Sequence, residues 1–291
     1  MTSTATPLSL GLAFVPDPPQ ERLRALVTTA ELAGLDEFWV WEDCFKESGI
    51  ATAAAALAWT DRIAVGIGLL PVPLRNVALT AMEIATLERL FPGRLRAGVG
   101  HGVQDWMQQV GARAASPMTL LEEHARALRA LLAGERVTTA GRYVTLDDVA
   151  LDWPPSTPPP LLVGGTGPKS LALAGRLGDG TLLATAMTEE DVRSSCETVF
   201  AARDGVRHPV VVTVIVATGP GARERVDREV PRWGRRADEG IGLAGDAEEI
   251  AAGLRRLAEF GITSVVAQPT RDEPDLDGLV DLLGREVRPL L

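Results

Sequence analysis

The sequence predicts an α/β protein of the (β/α)8 TIM-barrel type, and three observations carry that prediction. Short apolar strands alternate with helical patterns eight times along 291 residues, which gives units of about 36 residues, the size at which eight of them close a barrel. Glycine, histidine and carboxylate residues gather just after the strands, the end of a barrel where sites are built. No repeat and no low-complexity region beyond one proline stretch interrupts the pattern, so residues 1–291 read as one domain. A doubly wound open sheet is the alternative that the same alternation allows.

Residues 8–14 are a short apolar run closed by Pro16, Pro18 and Pro19, after which Leu23, Leu26, Val27 and Ala30 repeat at helical spacing up to Gly34. Residues 38–41 read as the second strand, the alanine-rich 50–59 as a helix, and 63–70 as a buried third strand. Asn76 caps a helix to about residue 89, with Val77, Ala81, Ile84 and Leu87 on one face, and Pro92-Gly93 turns the chain. Leu95, Ala97 and Val99 alternate in a fourth strand that runs into Gly98-Val-Gly-His-Gly102. Ser116-Pro117 opens a helix carrying Leu121, Ala125, Leu128 and Leu132 to Gly134.

The rhythm then breaks. Residues 137–146, centred on Ala140-Gly141, predict a β-hairpin, and five prolines follow within 154–160, together an insertion between strands four and five. Strands at 161–163, 180–184, 210–217 and 262–267 resume the alternation, with helices at 169–177 and 189–203. Asp246 and Glu249 form a capping box before a helix that buries Ile250, Leu254, Leu257 and Ala258.

Composition narrows the function. With 29 Lys+Arg against 39 Asp+Glu the formal charge is −10, and no basic run offers a nucleic-acid or anionic-membrane footprint. Two isolated cysteines, Cys44 and Cys196, make neither a disulfide framework nor a thiolate metal site. The first basic residue, Arg22, follows the apolar residues 8–15, so a secretory signal lacks its charged start. No apolar run reaches the ~18 residues of a membrane span. A cytoplasmic protein acting on a small molecule is expected.

Several strand ends carry candidate chemistry. Gly164-Gly-Thr-Gly-Pro-Lys-Ser170 leaves a strand and opens a helix, so the backbone N–H groups of Gly164, Gly165, Thr166 and Gly167 and the helix dipole converge where a phosphate can sit. A merely connecting glycine turn is the competing reading. Glu42 and Asp43 follow the second strand beside Trp39 and Trp41, as an acid or base on one side and a solvated carboxylate or helix cap on the other. His101, between two glycines after the fourth strand, is placed to titrate near neutrality against a ligand. Gly66 and Gly68 are unusual in a central strand and mark a bulge or a ligand's close approach. Phe14, Trp41 and Trp106 are candidate pocket walls, and Met107 reads as core. No two histidines share metal-ligand spacing, so no metal site is expected.

These stretches in this order resemble the luciferase-like flavin- and deazaflavin-dependent oxidoreductases, a family of (β/α)8 barrels. The matching pieces are 39–45, 62–75, 81–102, 160–180 and 245–268, with Met82-Glu-Ile-Ala-Thr-Leu-Glu-Arg-Leu-Phe-Pro-Gly-Arg94 leading into the fourth strand as the most characteristic. The resemblance implies a cis peptide at Gly68-Leu69 supporting the cofactor ring, Gly100 and His101 beside that ring, the cofactor phosphate on the 164–167 loop, and a homodimer. It also exposes two departures: Cys44 follows the acid where the family often has histidine, and Val103 stands where sugar-phosphate dehydrogenases of the group carry a glutamate.

The implied activity is hydride transfer between coenzyme F420, a 5-deazaflavin, and a small organic substrate, as in the methylenetetrahydromethanopterin reductase branch. An FMN-dependent monooxygenase is the second expectation. A flavin- or deazaflavin-binding protein without catalysis is the third, suggested by the two departures.

Overall fold

The computed structural model describes residues 7–291. Eight parallel strands close on themselves: β1 (Ser9–Phe14), β2 (Glu37–Val40), β3 (Ala64–Pro71), β4 (Leu95–Gly100), then β7 (Leu161–Gly164), β8 (Gly180–Leu182), β9 (Val210–Thr218) and β11 (Ser264–Pro269). Pairing of β8 with β9 and of β11 with β1 shuts the ring, so the barrel holds and the open sheet does not. The hairpin of β5 (Val137–Ala140) and β6 (Thr145–Val149) forms a separate two-stranded sheet between β4 and β7.

Helices α1 (Leu23–Ala33), α2 (Gly49–Ala58), α3 (Val77–Leu90), α5 (Pro117–Leu132), α6 (Pro168–Leu177), α7 (Glu189–Ala201), α9 (Ala247–Glu259) and α10 (Leu276–Asp281) surround the strands. Four elements escape the periodic reading because they are short or polar: α4 (Gln104–Gln109), α8 (Ala222–Glu229), α10 and β10 (Leu243–Gly245), the last of which pairs with the end of β9. Local chemistry explains the starts. Asn76 Oδ1 accepts from Ala78 N at 2.9 Å, and Asp246 and Glu249 exchange capping bonds at 2.9 and 3.0 Å. Among the described residues no helix is long and apolar enough to cross a membrane.

Two cores follow from the strand alternation. Leu10, Leu12 and Phe14 of β1 face outward with Phe38 and Val40 into the layer shared with the helices, whereas Ala13, Val15, Trp39, Trp41, Leu162, Leu182, Val211 and Val266 fill the lumen. Phe14 is thus corrected as a pocket wall: it is 1% exposed, and its ring meets Phe38 at 6.2 Å on the helix side of the strand.

The lumen also explains β3. A Cβ on Gly66 would stand 2.2 Å from the Trp39 ring, and one on Gly68 3.2 Å from it. Gly66 is therefore a seat for tryptophan, not a point of ligand approach. Trp39 Nε1 donates to Glu37 Oε2 at 2.8 Å, and Ser264 Oγ donates to the same oxygen at 2.6 Å. This buried triad closes the lower end of the lumen with its hydrogen bonds made.

Candidate active site

The upper end of the barrel is built around a bulge in β3. Ile67 pairs with Ala97 but Leu70 with Val99, so one extra residue enters the strand and the Leu69 side chain swings across the mouth. The glycines opposite exist to receive it. A Cβ on Gly100 would lie 2.6 Å from Leu69 Cδ2, and one on Gly164 2.4 Å from the same atom. Gly98 is closed off by Leu182 and the Ile67 carbonyl. The result is a shelf without side-chain projections, with Leu69 as its surface. The Gly68-Leu69 peptide is cis, as the resemblance implies, and so is Cys44-Phe45, which the sequence does not signal.

Next to the shelf, the loop after β7 is tightly wound. Gly165 lies so close to Ser170 and Leu171 that a Cβ there would stand 2.8 Å from the Ser170 hydroxyl. Thr166 N and Gly167 N both donate to that hydroxyl at 3.1 Å, and Gly165 N donates to the Leu182 carbonyl at 3.3 Å. Those N–H groups are thus engaged internally. The N–H groups in the first turn of α6 have no partner within the helix, and the helix dipole adds to them. Beside this loop lies a cavity of about 380 Å³ lined by Gly165, Thr166, Ala184, Thr185, Trp233 and Arg235, among others.

Trp233 links that cavity to the barrel mouth. Its ring meets Trp41 edge-on at 5.8 Å, so the two indoles form one wall. Trp41 is 9% exposed and packs with the side chains of the lumen. Trp106 lies half-buried on α4 and Met107 beside it is fully buried, its sulfur packed under Gly102. Trp233 and Arg235 were not legible, although a tryptophan in the polar stretch Pro231-Arg-Trp-Gly-Arg235 is a signal that points to a wall or a contact.

The carboxylates after β2 divide sharply. Glu42 is corrected as a catalytic acid: Arg75 grips it through Nε at 3.1 Å and Nη2 at 2.7 Å, and Gly49 N donates to it at 2.9 Å. Arg75 also holds Glu83 at 2.5 Å, and the Glu42 side chain is 9% exposed. A carboxylate in a two-toothed guanidinium pair serves as a brace. Asp43 accepts no side-chain hydrogen bond among the described residues. Burial pushes its carboxyl above the usual range, with Lys46 opposing and Asp17 adding to the rise. The cap of α2 is Ser48, not Asp43.

A further acid stands in the same loop. Glu47 Oε2 accepts from Gln20 at 2.9 Å, while its Oε1 is buried without a partner among the described residues. Burial and then the Asp43 charge push it up to about 7, against the pull of Lys46 and Gln20. No local pattern in the sequence marks Glu47, because its burial comes from the loops after β1 and β2 meeting. Cys44 between these acids is half-buried; burial and the charges of Glu42 and Asp43 raise its thiol above the ordinary value.

His101 follows β4, two strands along the rim from the loop after β2. Burial pushes its imidazole below the usual range, with a hydrogen bond to the Pro117 backbone opposing, and its Nδ1 is buried without a side-chain partner. The ring is neutral at pH 7. Val103 is 47% exposed at the start of α4 and offers no acid there. Among the described residues no group of three His, Cys, Asp or Glu side chains is placed to hold a metal.

A barrel with a bulged third strand, a glycine shelf and a sixth helix that opens on a glycine loop is matched by one family model over residues 6–235, that of the luciferase-like monooxygenases. The chain belongs to that family. Among luciferase-like relatives, a 5,10-methylenetetrahydromethanopterin reductase of Methanolobus tindarius is 25% identical over 96% of this chain and 99% of its own length. An F420-dependent glucose-6-phosphate dehydrogenase of Beutenbergia cavernae is 35% identical over 54% of this chain and 51% of its own. In three dimensions, an F420-dependent secondary alcohol dehydrogenase, solved with an F420-acetone adduct, superposes with a TM-score of 0.87 at 22% identity, covering 98% of this chain and 99% of that one. The luciferase-like barrel is common to all of it.

Proposed function

We propose that this luciferase-like protein is an oxidoreductase that uses coenzyme F420 to exchange a hydride with a small organic substrate. The observation that carries the reading is the β3 bulge, which lays the Leu69 side chain over Gly100 and Gly164 as an apolar surface at the barrel mouth against which a planar tricyclic ring would rest. Full-length similarity to a methylenetetrahydromethanopterin reductase supports the choice of a deazaflavin. When bound, the deazaflavin supplies the hydride or takes it up at ring carbon C5.

The chain's own residues do the rest. Leu69, seated on Gly100, would support the ring, and the first turn of α6, shaped by the 164–167 loop, would hold the phosphate. Trp41 and Trp233 form the wall against which a substrate stacks and from which water is displaced. Burial raises both Asp43 and Glu47 above the usual carboxylate range, Glu47 to about 7, so that they are the groups to release or recover a proton as the substrate changes charge. His101, neutral and with Nδ1 free of side-chain partners, offers a second group at the ring edge. Arg75 fixes the loop through Glu42, which keeps Asp43 at the mouth.

Anaerobic titration of the protein with coenzyme F420 and, separately, FMN, followed by fluorescence quenching, tests the reading. Micromolar or tighter preference for the deazaflavin is the expected outcome. A preference for FMN moves the assignment to oxygen chemistry, which the family's monooxygenase members represent. Binding of neither overturns the cofactor assignment, and tight binding without turnover across a substrate screen favours a non-catalytic binding protein.

A further inference from the structure

The lumen of the barrel ends upward in a buried amide that no hydrogen bond satisfies. Ser264 and Glu37 touch through a 2.6 Å bond, which places them in one layer of the lumen. Side chains on parallel strands return to the same face every second residue. Val266 and Trp39 therefore share the next layer, as their joint packing in the lumen shows, and Gln268 and Trp41 the one above it. Gln268 is 2% exposed, and its Oε1 is buried with no partner among the described residues. The other face of β11, Val265 and Ala267, packs on the helices.

Position in the ring adds a direction. Following the closed strand order, β11 lies opposite β4, so Gln268 faces Gly100 across the mouth. The ring shelf and the phosphate loop occupy the β3, β4 and β7 side. What approaches Gln268 is thus the molecule lying between the shelf and the Trp41 wall.

We propose that Gln268 is a specificity-determining residue that hydrogen-bonds a polar group next to the reacting carbon of the substrate, a proposal that rests on the cofactor reading above. An amide serves both redox forms of such a substrate. A hydroxyl or amine donates into Oε1, and the corresponding carbonyl or imine accepts from Nε2. A buried amide left without a partner costs stability, and a site that retains one binds a matching ligand far better than an analogue lacking the polar group. An apolar residue of the same size would fill the layer without that cost. The substrate class is accordingly a small, partly apolar molecule with an oxygen or nitrogen function at the carbon that exchanges hydride, stacked on indole.

The test uses the protein loaded with coenzyme F420 and a matched pair of probes, cyclohexanol with cyclohexanone against methylcyclohexane, with binding read from the change in cofactor fluorescence. Wild type is expected to bind the oxygenated probes at least tenfold more tightly than the hydrocarbon, and Gln268→Leu to bind all three alike while retaining its affinity for F420. The Tm of cofactor-free Gln268→Leu is expected to equal or exceed that of wild type, which a purely structural glutamine would not allow. Absence of a polar preference in wild type, an undiminished preference in Gln268→Leu, or a lowered Tm overturns the proposal. Failure of F420 to bind wild type overturns the cofactor reading instead, and with it the ground on which Gln268 was assigned to the substrate.

Discussion

The two ends of the barrel lumen treat buried polar groups in opposite ways. At the lower end Glu37 accepts from Trp39 and Ser264, so its carboxylate is committed to the fold. At the upper end Gln268, His101 and Glu47 each bury a polar atom without a side-chain partner, and Asp43 accepts no side-chain bond. Both ends belong to the same strands and are separated by only a few residues along each. The contrast is between these two clusters: the polar groups around Glu37 are paired and those around Gln268 are not, although His208 Nδ1, just before β9, also lacks a partner among the described residues. Glu42 and Arg75, although at the upper end, side with the fold, since each finds its partner in the other.

Substitutions can break this contrast or sharpen it. The largest effect is expected from Arg75→Ala, which strands Glu42 and Glu83 in a largely enclosed setting and should lower stability by about 3 kcal/mol, measured by urea unfolding of the cofactor-free protein. Stability left nearly untouched by Arg75→Ala would show that Glu42 is not a brace of the fold. Next comes Asp43→Asn, expected to slow single-turnover hydride transfer by about 100-fold with F420 affinity and Tm preserved. Full activity in that variant would move the proton to His101 or Glu47.

Glu37→Ala should act at the other end only. It leaves Trp39 Nε1 and Ser264 Oγ unpaired and is expected to cost about 2 kcal/mol, with coenzyme affinity unchanged; a loss of affinity equal to that of an upper-end variant would erase the distinction. The smallest effect concerns Glu47. The folded protein keeps its proton up to about pH 7, whereas an unfolded glutamate releases it near 4.5. Across that window the folded state binds more protons, so stability falls as pH rises. Glu47→Gln should flatten this slope in thermal melts taken between pH 5 and 8, by a modest amount because the side chain is partly solvated.

The order of strands and helices was legible because each depends on neighbours in the chain. The Asn76 and Asp246 caps, the alternation after Pro92-Gly93 and the loop that opens α6 all appear where the residues place them. Legibility ended where a strand is buried on both faces. In residues 8–14 the large side chains Leu8, Leu10, Leu12 and Phe14 alternate with the small Ser9, Gly11 and Ala13, but both faces are buried, so the alternation separates two faces without saying which one looks into the lumen. β11 was more readable than it was read: Ser264 and Gln268, two polar residues an even number apart in an apolar strand, already mark one face as special.

By itself the sequence determined the barrel, the glycines of β3 and β4, and the loop positions of Asp43, His101 and the 164–167 segment, because periodicity, capping and turn chemistry operate over a few residues. Only the tertiary structure decided which of those groups are free. Glu42 was taken out of the chemistry by an arginine two elements away, Gly66 by the Trp39 ring, and two loop N–H groups by the Ser170 hydroxyl. Trp233 and Glu47 were brought in by loops that meet only when the ring closes. Whether a polar group is paired or left waiting is a property of its neighbours in space, and closure of the barrel is what chooses them.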